Sequence, residues 1–396
     1  MQKQFVKFMK MTTKLEMDKK IKILFFIPRL SEGGAEKVMC NLVNNMDQSK
    51  FDITVQTIDP YKSEQYLAEG IRYKAVNRCS TWIGKKVFSY WFRLCAELKT
   101  AYYFFIKGDY DIEVAYLETV ATKIIAQSTN RKAVKLAWVH CDLSKKEGMR
   151  SFVKKVKKQY TKFDKIVCVS RDVEKGFCHL FGNGFDTSVM QNVIDEKEII
   201  NNAEAKIELE TQSDLINLLA VGRLSQEKNY AHLIETCSWL RTDGYKFRLN
   251  ILGEGPERNS LEEQIKELML ENYVTLRGFI KNPYPWMKKS DILVCSSEYE
   301  GSSTVVQEAL ILGTIVVTTP CGGMKDLLGN SEYGLIVEDS KKGLYNGLKR
   351  LMSDSNFKQK YKKAAEERGS VFSEKEAVSV TERFFENIVD RRIHLV

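Results

Sequence analysis

Residues 21–28 read IKILFFIP, and residues 29–36 continue RLSEGGAE. A short run that is apolar at consecutive positions, rather than at alternate ones, is a strand buried on both faces. Helical spacing follows through Val38, Leu42 and Val43. The same order returns at 215–221, LINLLAV, then 222–228, GRLSQEK, then a helical stripe at Leu233, Ile234, Cys237 and Leu240. Strand, loop and helix repeated this way need crossover connections, and crossovers build parallel sheets. Further strand-like runs lie at Ile53–Ile58, Ile71–Val76, Ile112–Tyr116, Val134–Val139 and Lys165–Val169, and then at Phe247–Leu252, Tyr273–Leu276, Ile292–Cys295 and Ile315–Thr318. The pattern pauses over 195–214, which is rich in Glu, Asn and Lys and reads as a linker. The expectation is an α/β protein of two doubly wound domains, 21–194 and 215–372, behind a basic extension at 1–20. A last helix starts at Ser373, with Glu374 and Glu376 in its first turn and Val380, Phe384 and Ile388 on one face.

The 396 residues are 43% hydrophobic and 29% charged, ordinary for a folded chain of two or three domains. Its longest apolar runs, Ile23–Pro28 and Ala101–Ile106, fall far short of the ~20 residues of a spanning helix. The first residues lack the apolar core of a secretory signal. Nine cysteines contain no C-x-x-C, and Cys40, Cys168, Cys237 and Cys295 sit inside apolar periodic segments. That usage predicts reduced thiols in the cytoplasm, and four scattered histidines predict no histidine-rich metal site. The net charge of +9 is concentrated: residues 1–20 carry +4 and residues 145–165 carry +7. Within the second stretch, Met149, Val153, Val156 and Tyr160 form one helical stripe, with Lys154, Lys155, Lys157 and Lys158 around it. An anionic membrane surface is the expected partner of this patch. Nucleic acid is not, because these lysine runs have no interleaved aromatic platform.

In a doubly wound sheet, ligands sit at the carboxyl ends of the strands. Gly33 and Gly34 follow the first strand and open a helix, so backbone can approach an anion there, although G-x-G-x-x-G is absent. Arg223 and Lys228 leave the corresponding end of the second domain's first strand, placed to clamp a diphosphate. After Ile292–Cys295 comes SSEYEGSSTVVQEAL, residues 296–310. Gly301, Ser302 and Ser303 offer a second anion cradle, and Glu300 and Glu308 are carboxylates suited to accept from vicinal hydroxyls. Each of these also has an ordinary reading, as a tight turn, a solvated charge or a helix cap.

Taken together and in order, these pieces resemble the retaining glycosyltransferases of family 4, which have the two-domain GT-B fold. The resemblance rests on GGAE (33–36), GRL-x-x-EK (222–228), LGEGP (252–256), Gly278-Phe279 and the pair Glu300/Glu308, and covers Lys22 to about Val389. It implies two Rossmann-like domains facing a cleft, with the C-terminal helix crossing back to the first. It also implies a UDP- or GDP-linked sugar donor as substrate and no cofactor. Arg223 and Lys228 would hold the diphosphate, Glu308 the ribose and Glu300 the sugar. Gly33 and Gly34 would approach from the opposite domain, and the loops at Gly253 and Phe279 would border the base. His140, ending the strand Val134–Val139, would stand near the reacting carbon. The chain departs from the family's EGFG at Glu300-Gly301-Ser302-Ser303, which bears on the donor sugar. No D-x-D ends a strand, so no metal is expected. The implied reaction is metal-independent, retaining sugar transfer to a lipid-linked saccharide during surface polysaccharide assembly (capsule, exopolysaccharide or lipopolysaccharide), peripherally at the inner face of the membrane. A nucleotide-sugar epimerase, or a non-catalytic partner subunit of the same fold, are the alternatives.

Overall fold

In the first sheet, the central strand β1 (Ile21–Phe26) is solvent-free over its last four residues, Ile23–Phe26. A computed structural model describes residues 20–30, 33–60, 66–77, 79, 81–145, 149–207 and 215–393. The basic extension up to Lys19, Ser31, Glu32 and residues 208–214 lie outside the described residues. Beside β1 stand β2 (Phe51–Thr57), β3 (Arg72–Ala75), β4 (Ile112–Ala115), β5 (Val134–Val139), β6 (Lys165–Cys168) and β7 (Thr187–Val189). Their order is β3-β2-β1-β4-β5-β6-β7, all parallel, with Ile21 opposite Phe51 and Ile23 opposite Ile112. The second sheet holds β8 (Ile216–Val221), β9 (Phe247–Leu252), β10 (Val274–Gly278), β11 (Ile292–Cys295), β12 (Ile315–Thr318) and β13 (Leu335–Ile336). Its order, β10-β9-β8-β11-β12-β13, repeats the first, again all parallel. The two domains are Rossmann-like and form the α/β architecture expected.

The edge strands β7 and β13 escape sequence reading because they are only three and two residues long and half-buried, so they leave no apolar run. The stretch from residue 195, expected as a plain linker, begins with a helix, Glu196–Asn202. Asp195 caps it by accepting from the Glu198 N–H at 2.8 Å, and Ile199 is buried against the second domain. One cap and one buried isoleucine order a segment whose composition is otherwise polar.

The helix Ser355–Ser370 packs on the second domain, and the chain then turns back. Ser373 accepts from the Glu376 N–H at 3.3 Å and starts the helix Glu374–Ile393 on the first domain. There Phe385 is fully buried, with ring centroids 6.1 Å from Phe25 and 6.4 Å from both Phe51 and Trp138. Burying one such ring contributes roughly 1.5–3 kcal/mol, so the last helix clips the end of the chain onto the first core.

Candidate active site

Both sheets reverse their winding between the first and fourth of their own strands, β1/β4 and β8/β11. The loops after these strands meet. In the first domain, Gly33 begins the helix Gly34–Asn45 in extended backbone, with the Glu36 carboxylate folded against it: a Cβ on Gly33 would lie 2.3 Å from Glu36 Oε2. Gly34 faces the second domain closely: a Cβ there would lie 3.4 Å from Thr304 Oγ1. His140 follows β5. The carboxylate of Glu118, a residue that no motif singled out, accepts from the backbone N–H of both His140 and Cys141 and so fixes the loop. The imidazole lies 4.8 Å from the Tyr116 ring. Burial lowers its pKa, and its Nε2 has no partner among the described residues.

In the second domain, Lys228 ends a single 3-10 turn, Gln226–Lys228, held by Ser296 Oγ donating to the Lys228 carbonyl at 2.7 Å. Its Nζ sits 2.6 Å from Glu300 Oε1, with the two side chains only 20% and 16% exposed. Ser297 Oγ donates to the same oxygen at 2.8 Å. Burial disfavours the Lys228 ammonium, but the facing Glu300 outweighs it and the pKa is raised. Arg223, by contrast, is exposed, and its guanidinium has no hydrogen-bond or ion-pair partner among the described residues. The N–H groups of Gly301, Ser302 and Ser303 carry no hydrogen bond among the described residues either, while Ser303 Oγ caps the helix Thr304–Ile311 through Val306 N at 3.4 Å. Gly253, at φ +150°, has room for no side chain: a Cβ would lie 1.8 Å from the Gly222 carbonyl oxygen. This tight stacking brings the loops after β8 and β9 together, and beyond them Phe279 stands 55% exposed. Glu308, one turn into its helix, is 7% exposed, and burial pushes its carboxyl up to about 7.

The domains touch at Gly301. A Cβ on it would fall 1.7 Å from the His140 carbonyl oxygen. Ser170 Oγ donates to the Gly301 carbonyl at 2.6 Å, Asn192 to the Ser302 carbonyl at 3.2 Å, and the Arg171 N–H to Asp326 at 2.7 Å. The structure thus gathers Gly33, Gly34, His140, Gly301, Ser302, Ser303 and Glu308 along one seam. Lys228 and Glu300 pair beside it. Lys154, Lys155, Lys157 and Lys158 stand apart, exposed on the helix Met149–Tyr160.

Residues 201–368 match the family model of glycosyl transferases group 1. That span takes in nearly the whole second domain. Over 186 residues, 46% of this chain, the sequence is 38% identical to a Campylobacter jejuni enzyme. That enzyme is the N-acetylgalactosamine-N,N'-diacetylbacillosaminyl-diphospho-undecaprenol 4-alpha-N-acetylgalactosaminyltransferase, of which 49% is covered. An uncharacterized glycosyltransferase of Haemophilus influenzae is 26% identical over 84% of this chain and 91% of its own length. The chain spans about half the length of the first curated relatives it matches, 49%, 50% and 52%. Among solved structures, sucrose-phosphate synthase from Thermosynechococcus elongatus superposes over 94% of this chain and all of its own, with TM-score 0.76 and 17% identity. Anabaena HepE in complex with UDP and glucose does so over 93% of this chain and all of its own, with TM-score 0.71 and 18% identity. The fold is GT-B.

Proposed function

We propose that this protein transfers a sugar from a nucleoside-diphosphate sugar to a lipid-linked saccharide in surface polysaccharide assembly, with retention of anomeric configuration and without a metal ion. The observation that carries the reading is the half-buried Lys228–Glu300 pair beside a cradle of N–H groups unpaired among the described residues, closed from the other side by His140 and the Gly33-Gly34 turn. A diphosphate entering there takes over Lys228 and the exposed guanidinium of Arg223. Glu300 is released to accept from hydroxyls of the donor sugar. The breaking bond joins the anomeric carbon to the β-phosphate oxygen, and the charge that develops on that oxygen meets two cations and the helix start at Thr304. The acceptor hydroxyl oxygen forms the new bond, and its proton leaves toward the departing phosphate face. The neutral imidazole of His140, whose Nε2 has no partner among the described residues, can hold a sugar hydroxyl on a carbon near the reacting one. Glu308 would accept from the ribose. The lipid-diphosphate acceptor that the Campylobacter relative's name specifies supports the acceptor class.

A membrane surface as partner is supported by the first domain's outer face. No helix among the described residues is long and apolar enough to cross a membrane. Yet the helix Trp82–Glu97 is apolar on its outside too, where Ile83, Val87, Tyr90 and Leu94 repeat at helical spacing in solvent. Exposed Lys85, Lys86 and Arg93 interleave them, and Lys155 reaches Glu97 at 3.5 Å, which sets the lysine-rich helix alongside. Apolar side chains with a basic rim suit an anionic interface.

The test is release of nucleoside diphosphate from UDP- and GDP-sugars, with and without a lipid-linked saccharide, in the presence of EDTA, with the product's anomer read by NMR. Acceptor-dependent release with retention is expected. Release that ignores the acceptor, or a change of sugar configuration in the nucleotide itself, would point instead to hydrolysis or epimerisation.

A further inference from the structure

One chain of side chains runs from the first domain into the second and ends on Glu308. Lys37 lies in the helix Gly34–Asn45, directly after the GGAE turn. Its ammonium hydrogen-bonds the hydroxyl of Tyr284, on the helix Tyr284–Lys289 of the other domain, and stands 5.0 Å from that ring's centroid. Tyr284 Oη in turn lies 3.4 Å from Glu308 Oε1. The direction of this chain is fixed by chemistry. An ammonium has only protons to give, so the tyrosine oxygen must accept from Lys37 and its single O–H is left for Glu308.

We propose that Lys37 and Tyr284 are positioning residues that carry charge stabilisation across the cleft and favour the ionised form of Glu308 for the nucleotide's ribose. The proposal rests on the reading of Glu308 as the ribose-binding carboxylate. A carboxylate is a better acceptor for two hydroxyls than a neutral acid, which keeps one of its own protons in the way. Burial works against that ionised form, and Lys37 and the Tyr284 hydroxyl oppose burial. The other groups facing the chain are Glu198, whose Oε2 is 3.7 Å from Lys37 Nζ and whose charge acts against ionisation of Glu308, and Asp195, which bears on Tyr284. Lys37 reaches Tyr284 only when the two domains are together. Closure therefore charges the ribose site, and by linkage an occupied ribose site favours closure.

The experiment titrates the full chain with UDP and with GDP by calorimetry from pH 6 to pH 9, for wild type, Lys37→Met, Lys37→Arg, Tyr284→Phe and Glu308→Gln. Taking each variant's affinity as a ratio to wild type at the same pH cancels the nucleotide's own titration. One unit of upward shift in the carboxyl's pKa weakens binding about tenfold below both values and hardly at all above them. Lys37→Met and Tyr284→Phe should therefore bind about tenfold more weakly at pH 6.5 and within about threefold of wild type at pH 9. Lys37→Arg should restore most of the loss. Melting curves establish that each variant is folded, and if one is not, the other still decides the matter. A variant-to-wild-type ratio that does not change with pH, while Glu308→Gln does lose affinity, overturns this inference and leaves Glu308 as the ribose ligand. Wild-type affinity for Glu308→Gln at every pH overturns both.

Discussion

The two sheets wind in the same order around β1 and β8, yet their carboxyl-end loops carry opposite kinds of chemistry. The second domain concentrates charge: a Lys228–Glu300 pair at 2.6 Å, an exposed Arg223 and a buried Glu308. The first contributes glycine backbone, one neutral imidazole and the reach of Lys37. Their outer faces differ in the same sense. The second domain hides its large apolar side chains with few exceptions, whereas the first leaves Trp82 and Tyr90 at 69% and 79% exposure on one helix. Duplicate topology therefore sets where ligands can bind, and the loops and surfaces decide which partner each half meets.

Removing charge from the second domain is the strongest way to break this contrast. Lys228→Ala should lower kcat/KM roughly 30- to 1,000-fold, equivalent to about 2–4 kcal/mol of lost transition-state stabilisation. Arg223→Ala should fall at the lower end of that range, because its guanidinium is solvated before the donor arrives. Initial-rate assays with the cognate donor read both, and a folded Lys228→Ala enzyme with near wild-type rates would remove the division of labour.

Next in size is the stability cost of the buried carboxyl. Glu308 holds its proton to about pH 7 in the folded chain, against about 4.3 in an unfolded one. A raised carboxyl pKa means the folded state binds more protons, so its stability falls as pH rises through that window. The neutral isostere Glu308→Gln escapes this loss. Relative to wild type it should gain up to roughly 3 kcal/mol between pH 4.5 and pH 8, seen in denaturant melts at the two pH values. Equal stability differences at both would show that Glu308 ionises freely.

A smaller effect tests the seam. Gly301→Ala places a methyl 1.7 Å from the His140 carbonyl oxygen, so the domains must part. Overpacking of this kind costs about 1–3 kcal/mol. At pH 9, where Glu308 is ionised without help from Lys37, transfer should slow about tenfold or more while UDP or GDP affinity in the second domain stays within about threefold. Loss of nucleotide binding equal to the loss of transfer would show that the loop, not closure, was damaged.

The smallest effect on chemistry, and the sharpest on location, comes from the first domain's outer face. Trp82→Ser with Tyr90→Ser should alter stability by no more than about 0.5 kcal/mol, since neither ring is buried. The combined Lys154, Lys155, Lys157, Lys158→Gln change should act likewise. Each set should reduce co-sedimentation with anionic vesicles, and wild-type binding should weaken with salt over a Debye length of about 8–10 Å. Transfer to a water-soluble acceptor should be unchanged. Vesicle binding that ignores lipid charge and both sets of substitutions would return this face to ordinary solvent.

Residue order by itself determined the parallel-sheet class, the central strands and the loops at their carboxyl ends. The reason is local: a strand buried on both faces is apolar at consecutive positions, so Ile292–Cys295 appears at its observed limits. Short edge strands leave no such mark, and β7 and β13 became legible only through their pairing with β6 and β12. The charged candidates could be named one by one, because Arg223, Lys228 and Glu300 follow strands. Their partnerships were not. Lys228 and Glu300 are 72 positions apart, Lys37 and Tyr284 are 247 apart, and Glu118 holds the His140 loop from a different strand end. Such contacts depend on how two sheets and two domains are set against each other. That arrangement is fixed by packing and close backbone approach, as at Gly301, which no local pattern in the sequence records.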